Sequence, residues 1–259
     1  MGHLVIRRIR QHVSGHNWFA VFIDLVIVVV GVFLGAQANN WNQTRIERSD
    51  AAEYRHEIIE DLKSNEADLV SREAYYGAAR THAIAALKAL ESPGPARGEP
   101  FLVDAYQASQ VWLRPLTRTG YDEMVGSGLT RSIGGKDTRS RLTAYYTQIK
   151  QFEFTALATT AFRERVRRAM PYAVQSTIRL KCGDRITKLP DGSQVATLPE
   201  RCDASLSERE IGAAVRKLEA ADLAEDLTRH IADIDQKLAG YDRFVRQARD
   251  LRTYLQSTG

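Results

Sequence analysis

A chain of 259 residues with 44% hydrophobic and 26% charged residues has the composition of folded protein, which excludes disorder over most of its length. Its 36 basic and 32 acidic residues leave a net charge of only +4, with both signs mixed along the chain. A nucleic-acid partner gains no support from that balance.

Residues 1–17, MGHLVIRRIRQHVSGHN, alternate Leu4, Val5, Ile6, Ile9 and Val13 with basic side chains. That pattern predicts a short amphipathic tail on an anionic lipid surface. The run 18–40 follows, with Asp24 as its single formal charge. From Trp18 to Ala38 a helix would span roughly 31 Å at about 1.5 Å per residue, enough to cross a hydrocarbon core. Ala36-Gln37-Ala38 has the form of a signal-peptidase site, but the apolar stretch is longer than the ~7 to 15 residues of a signal peptide. The expectation is therefore a retained transmembrane helix and a bilayer as its first partner.

Arg7, Arg8 and Arg10 before the span are matched by Arg45, Arg48 and Arg55 after it, so flanking charge does not fix orientation. The cysteines do more. Cys182 and Cys202 form an even pair at short separation, which reads as a disulfide in an oxidising compartment. The expected arrangement is a cytoplasmic N-terminus with residues 41–259 in the periplasm, against the alternative of two unpaired thiols in a reducing compartment.

Beyond Trp41, apolar residues recur at Ile46, Tyr54, Ile58, Leu62, Leu69, Tyr76, Ala83, Leu87 and Leu90, the stripe of a long helix running to about Glu91. SPGPARGEP ends it. A helix is predicted from Phe101 to about Leu113, then a short one over Tyr121 to Val125 with Thr119 as its cap. The glycines of VGSGLTRSIGGKD interrupt the chain, and a long helix is predicted from Asp137 to about Met170, where Pro171 ends or kinks it. Residues 178–202 read as a small disulfide-closed β-hairpin insertion, with β-like runs flanking the turn at Pro190-Asp191-Gly192. Closing that loop is worth on the order of 3 kcal/mol by chain entropy. Ser205 followed by Glu208 predicts a capping box. Leu227, Ile231, Ile234, Leu238, Tyr241, Val245, Ala248 and Leu255 then hold a heptad stripe. The fold class expected is all-α: one transmembrane helix, then an antiparallel long-helix bundle with the hairpin inserted.

The acid in the span is the most informative residue. Asp24, Val28, Gly31, Gly35 and Ala38 share one helical face, so the carboxylate lines up with the small-residue pair of GVFLG. Small residues at that spacing let two membrane helices approach closely, and a partner helix would shield the carboxylate from lipid. A charge at mid-bilayer costs roughly 2.5 to 3.5 kcal/mol on insertion scales. Asp24 is read first as a polar clamp for association with a second copy or another inner-membrane protein. The alternative is a proton-carrying acid, as in a stator-like transport subunit.

Other constellations are weak. Glu53-x-x-His56 has a di-iron spacing without the second pair such a site needs, so no metal or cofactor is expected. GGKD lacks the rest of a phosphate-binding loop. No nucleophile–base arrangement can be inferred, and no enzyme activity is expected. Arg163, Arg167 and Arg168 in FRERVRRAM form a candidate partner surface, against the alternative of a solvated face. Tyr121, Asp122 and Glu123 are a second candidate surface, against the alternative of packing and capping.

FIDLVIVVVGVFLGAQANNWNQ followed by EYRHEIIEDLKSNEADL, together with RTGYDEMVGSG and SRLTAYYTQIKQFE, resembles a family of uncharacterised single-span bacterial inner-membrane proteins, a domain-of-unknown-function family. The resemblance implies an anchor with an early acid, usually Glu where this chain has Asp24, and a helical domain after it. It implies no activity. The cysteine hairpin lies outside the pattern. The functional expectation is a membrane-anchored periplasmic scaffold or assembly subunit, with a ligand-sensing bundle that signals through another protein as a further alternative.

Overall fold

The computed structural model describes residues 18–92, 97–112, 114–190 and 194–258. The expected N-terminal tail, the Asp191-Gly192 turn and the helix end at Leu113 lie outside them. The chain divides into two compact units, up to Glu53 and from Tyr54 onward.

Helix α1, Trp18–Glu91, runs through both. In the first unit its apolar side chains are exposed all round the helix, including Phe22, Leu25, Val28, Val32 and Phe33. This stretch is long and apolar enough to cross a membrane, and none of it is buried within the protein.

In the second unit α1 has one buried stripe. Of the positions that the sequence spacing marks, Ile58, Leu62, Leu69, Tyr76 and Ala83 are buried, Tyr54, Leu87 and Leu90 are half-buried, and Ile46, in the first unit, is exposed. After α1 come α2 (Glu99–Ala108), α3 (Thr119–Gly126), a 3-10 turn (Leu129–Arg131), α4 (Lys136–Ala156), α5 (Ala161–Ala169) and α6 (Tyr172–Cys182). Strands β1 (Arg185–Lys188) and β2 (Gln194–Thr197), then α7 (Glu208–Ala220) and α8 (Ala224–Ser257), complete the chain.

Helix α8 packs antiparallel to α1 and to α4. Against α1, Arg55 donates to the Leu255 carbonyl, Arg249 and Arg252 hold Glu66, and Arg80 pairs with Asp235. Against α4, Thr138 meets Tyr254 at 3.1 Å and Phe152 packs on Tyr241 and Phe244. A row of rings, Tyr75, Tyr76, Tyr241, Phe152 and Phe244, crosses from α1 through α8 to α4 at centroid distances of 5.0 to 5.6 Å. These rings belong to one of two hydrophobic clusters. The other gathers α2, α5, α6, α7 and the upper end of α1 around Leu102, Phe162, Ile178 and Leu218.

Several boundaries differ from the sequence reading. Helix α2 stops at Ala108, because the Ser109 hydroxyl turns back onto the Tyr106 carbonyl and Arg163 and Arg167 donate to Ser109. Helix α3 starts at Thr119 itself, with Arg118 before it and no side-chain cap. The helix expected over 137–170 is two helices, since Thr160 is extended and gives its hydroxyl to His230 at 2.9 Å. Pro171 separates α5 from α6 as expected, with Met170 held extended before it.

Residues 178–182, expected in the hairpin, are the end of α6. Val174, Ile178 and Cys182 are buried at steps of four, a helical period. The hairpin is correspondingly short, with Arg185 opposite Thr197 and Lys188 opposite Gln194. The disulfide Cys182–Cys202 ties the end of α6 to the segment after β2, with the two Cα atoms 5.6 Å apart.

The capping box lies two residues later than expected. Ser207 and Glu210 exchange the reciprocal bonds, 3.4 Å to the Glu210 amide and 2.9 Å from the Ser207 amide. Ser205 cannot cap, because it has a positive φ of 52° and its amide is taken by Asp203 at 2.7 Å and Glu99 at 3.2 Å. Both carboxylate oxygens of Glu99 are occupied there, accepting from the Ala204, Ser205 and Leu206 amides.

Candidate functional site

The anchor face is simple in geometry. At about 100° per residue, Asp24, Val28, Gly31, Gly35 and Ala38 fall within an arc of roughly 80°. Nothing lies within 4 Å of a Cβ built on Gly31 or Gly35. Asp24 is exposed, and among the described residues no hydrogen bond or ion pair reaches it. The stripe is therefore a shallow groove of backbone with a carboxylate near one end.

The candidate partner surfaces in the bundle are largely committed to the fold. Arg163 donates to the Ser109 carbonyl, and Arg167 donates to the Ser109 hydroxyl at 2.7 Å and lies 3.7 Å above the Tyr106 ring. Burial holds the Arg167 guanidinium below its ordinary pKa. These two arginines cap the C-terminal end of α2, whose last carbonyls lack helical partners. Arg168 remains exposed.

Tyr121 stacks on Tyr146 at 4.1 Å, with Arg118 above both rings. Asp122 accepts two bonds of 2.7 Å from Arg118, and Glu123 is exposed. The segment leading into α3 is held by α1 and α4. Asn65 bonds both backbone groups of Thr117 at 2.8 Å, Asp61 accepts from the Gly120 amide at 2.8 Å, and Glu153 accepts from the Leu116 amide at 2.7 Å. Burial pushes the Asp61 and Glu153 carboxyls above their usual range. Gly120 is required at this crossing, because a Cβ there would lie 2.8 Å from that of Glu57.

A site that the sequence reading did not single out lies on the other side of α4. A cleft of about 940 Å³ opens between the C-terminal half of α4, the 157–160 linker and α8. Phe152 and Phe244 supply apolar wall, and Gly240 lets the Phe152 ring lie directly on α8, where a Cβ would sit 2.1 Å from the ring.

Lys237 lines this cleft while only 8% exposed. No carboxylate lies within ion-pair distance of it and no hydrogen bond is made to it among the described residues; its Nζ sits 5.4 Å from the Tyr76 ring centroid. Burial pulls the amine below its ordinary pKa, with Asp233, one turn away, acting in the opposite direction.

His230 lies about two turns earlier on α8, 5% exposed and stacked on Phe162. Its Nε2 faces the Ala108 carbonyl at 2.7 Å, which can only accept, so the proton is assigned there and Nδ1 accepts from the Thr160 hydroxyl. Burial pushes its pKa down. The sequence did carry a signal for both groups. His230 and Lys237 fall between Leu227, Ile234 and Tyr241 at steps of three and four, polar residues at core positions of a heptad.

No protein-family model, curated protein or solved structure matches this chain.

Proposed function

We propose that this chain is a single-span bacterial inner-membrane protein whose anchor helix associates with another membrane helix through the face of Asp24, Gly31 and Gly35. Its disulfide-bearing helical bundle then acts in the periplasm as a scaffold or assembly subunit of an envelope complex. The observation that supports this reading is the coincidence on one exposed stripe of a carboxylate and two glycines with open space above them.

In hydrocarbon, packing and interhelical hydrogen bonds drive helix association, and close backbone approach strengthens both. A carboxylate on a lipid-facing side would be costly. On a paired side it is covered, and it bonds a polar group on the facing helix.

Purification of the full chain from native membranes in mild detergent, with mass spectrometry of what co-migrates, tests the reading. A stoichiometric partner or a homo-oligomer is expected for the native sequence and is lost in Gly31→Leu. A monomer with no co-migrating protein overturns the proposal. Asp24→Asn separates the two roles of the acid: retention of assembly with loss of a proton-linked activity moves the function to transport.

A further inference from the structure

We propose that the cleft between α4 and α8 is a binding site for a small organic anion with an apolar body, whose acid group is received by Lys237. The proposal goes beyond the anchor's association and does not depend on it.

Four features converge on this surface. The first is Lys237 itself, more than nine-tenths buried with no hydrogen bond or ion pair among the described residues. An ammonium largely withdrawn from water, with Asp233 one turn away but beyond ion-pair distance, is costly, and the ring of Tyr76 at 5.4 Å offsets only part of that cost.

The second is charge balance. Arg229, Lys237 and Arg243 line the cleft against Asp226 and Asp233, and Asp226 is already held by Arg165. Asp233 alone is left to oppose three cations. A concave wall with surplus positive charge concentrates anions.

The third is the start of α5. Thr160 is its N-cap residue, yet its hydroxyl is bonded to His230 and makes no capping bond. The helix's first backbone bond comes from the Glu164 amide, 3.4 Å from the Thr160 carbonyl, so the amides of 161–163 have no partner within the helix. Thr159, Thr160 and Ala161 line the end of the cleft, so this uncapped helix N-terminus opens onto the same space.

The fourth is the apolar wall. Phe152 is half-buried and offers surface for a ring or a branched aliphatic group, backed by the buried Phe244 at a centroid distance of 5.0 Å. A site of several hundred Å³ with an apolar wall and a few convergent polar groups is the usual form of a small-molecule pocket. A carboxylate placed there gains a charge-assisted bond from Lys237 and leaves its body against the Phe152 ring.

The test uses the full chain in lipid nanodiscs, titrated with 4-fluorobenzoate and followed by fluorine NMR, with acetate and benzylamine as comparison probes. Saturable 4-fluorobenzoate binding is expected, with acetate weaker because it lacks the ring and benzylamine not bound because its charge is reversed. Lys237→Met keeps the apolar stem and is expected to weaken binding at least about tenfold, with no loss of thermal stability. Ala158→Trp leaves the lysine in place and fills the cleft mouth from an exposed linker position, and is expected to abolish binding. Absence of saturable 4-fluorobenzoate binding overturns the proposal. So does equal affinity in Lys237→Met and Ala158→Trp, or benzylamine binding as tightly as the acid.

Discussion

The two units of α1 have similar helical backbone and opposite packing. Between Val21 and Leu34 the large apolar side chains are exposed on every side, and no polar face balances them. Beyond Tyr54 the apolar residues collapse onto one stripe, Ile58, Leu62, Leu69 and Tyr76, with Glu60, Lys63 and Glu73 turned outward. One stretch is built for a surrounding apolar solvent and the other for a protein core. In the first, the residues that stand out are the polar or small ones, Asp24, Gly31 and Gly35. In the second they are the buried polar ones, Asn65, Arg72 and His82.

Truncation on either side of this divide gives the largest contrast. Leu62→Ala leaves a void in a fully buried site and is expected to cost about 2 to 5 kcal/mol, lowering the melting temperature of the bundle by roughly 4 to 20 °C. Ile27→Ala removes as much apolar surface from the anchor and is expected to leave that melting temperature unchanged. Circular dichroism melts of both variants in detergent make the comparison, and a large effect of Ile27→Ala would remove its basis.

Reducing the disulfide is next in size. The closed loop has a sequence separation of 20 and is worth about 3 kcal/mol. Reductant is expected to lower the melting temperature of the bundle while leaving any anchor-mediated association intact. Loss of association on reduction would place the interface in the bundle instead.

The buried polar groups set the pH dependence. His230 has a folded pKa below its unfolded value of 6.5, so the unfolded chain takes up the proton first. Its contribution is intact above about pH 6.5 and is lost as pH falls through the folded value. Lys237, also depressed, works in the alkaline window: stability rises with pH from its folded value up to about 10.5. Lys237→Met is therefore expected to raise the melting temperature at neutral pH and flatten the alkaline rise. A variant less stable than the native chain at pH 7 contradicts that assignment.

The smallest effect concerns the surface seam between α1 and α8. Arg249 is half exposed and shares Glu66 with Arg252, so Arg249→Ala is expected to cost less than about 1 kcal/mol. A larger loss in thermal melts would show that this pair contributes more than an exposed ion pair ordinarily does.

Periodic and local features were legible from the residues. The buried stripe of α1, the α8 heptad, the helix stop after Glu91 and the disulfide follow from spacing and composition. What escaped depended on distant partners. The chain leaves helix at 157–160 because Thr160 meets His230, seventy residues onward. Ser205 yields its capping role to Ser207 because its φ is positive and its amide is shared by Asp203 and the distant Glu99. The end of α6 read as strand because Ile178 and Leu180 alternate with basic residues, while the longer period through Val174, Ile178 and Cys182 decided the outcome. The cleft combines residues from α4, the linker and α8, and only the misfit of Lys237 on an apolar stripe announced it.

A scan of single cysteines through residues 21–38, oxidised in native membranes with Cys182–Cys202 intact, tests the anchor most directly. The account predicts cross-linked adducts that peak at 24, 28, 31, 35 and 38 and vanish at intervening positions such as 26 and 33. Uniformly weak cross-linking, or a maximum on the opposite side of the helix, contradicts it.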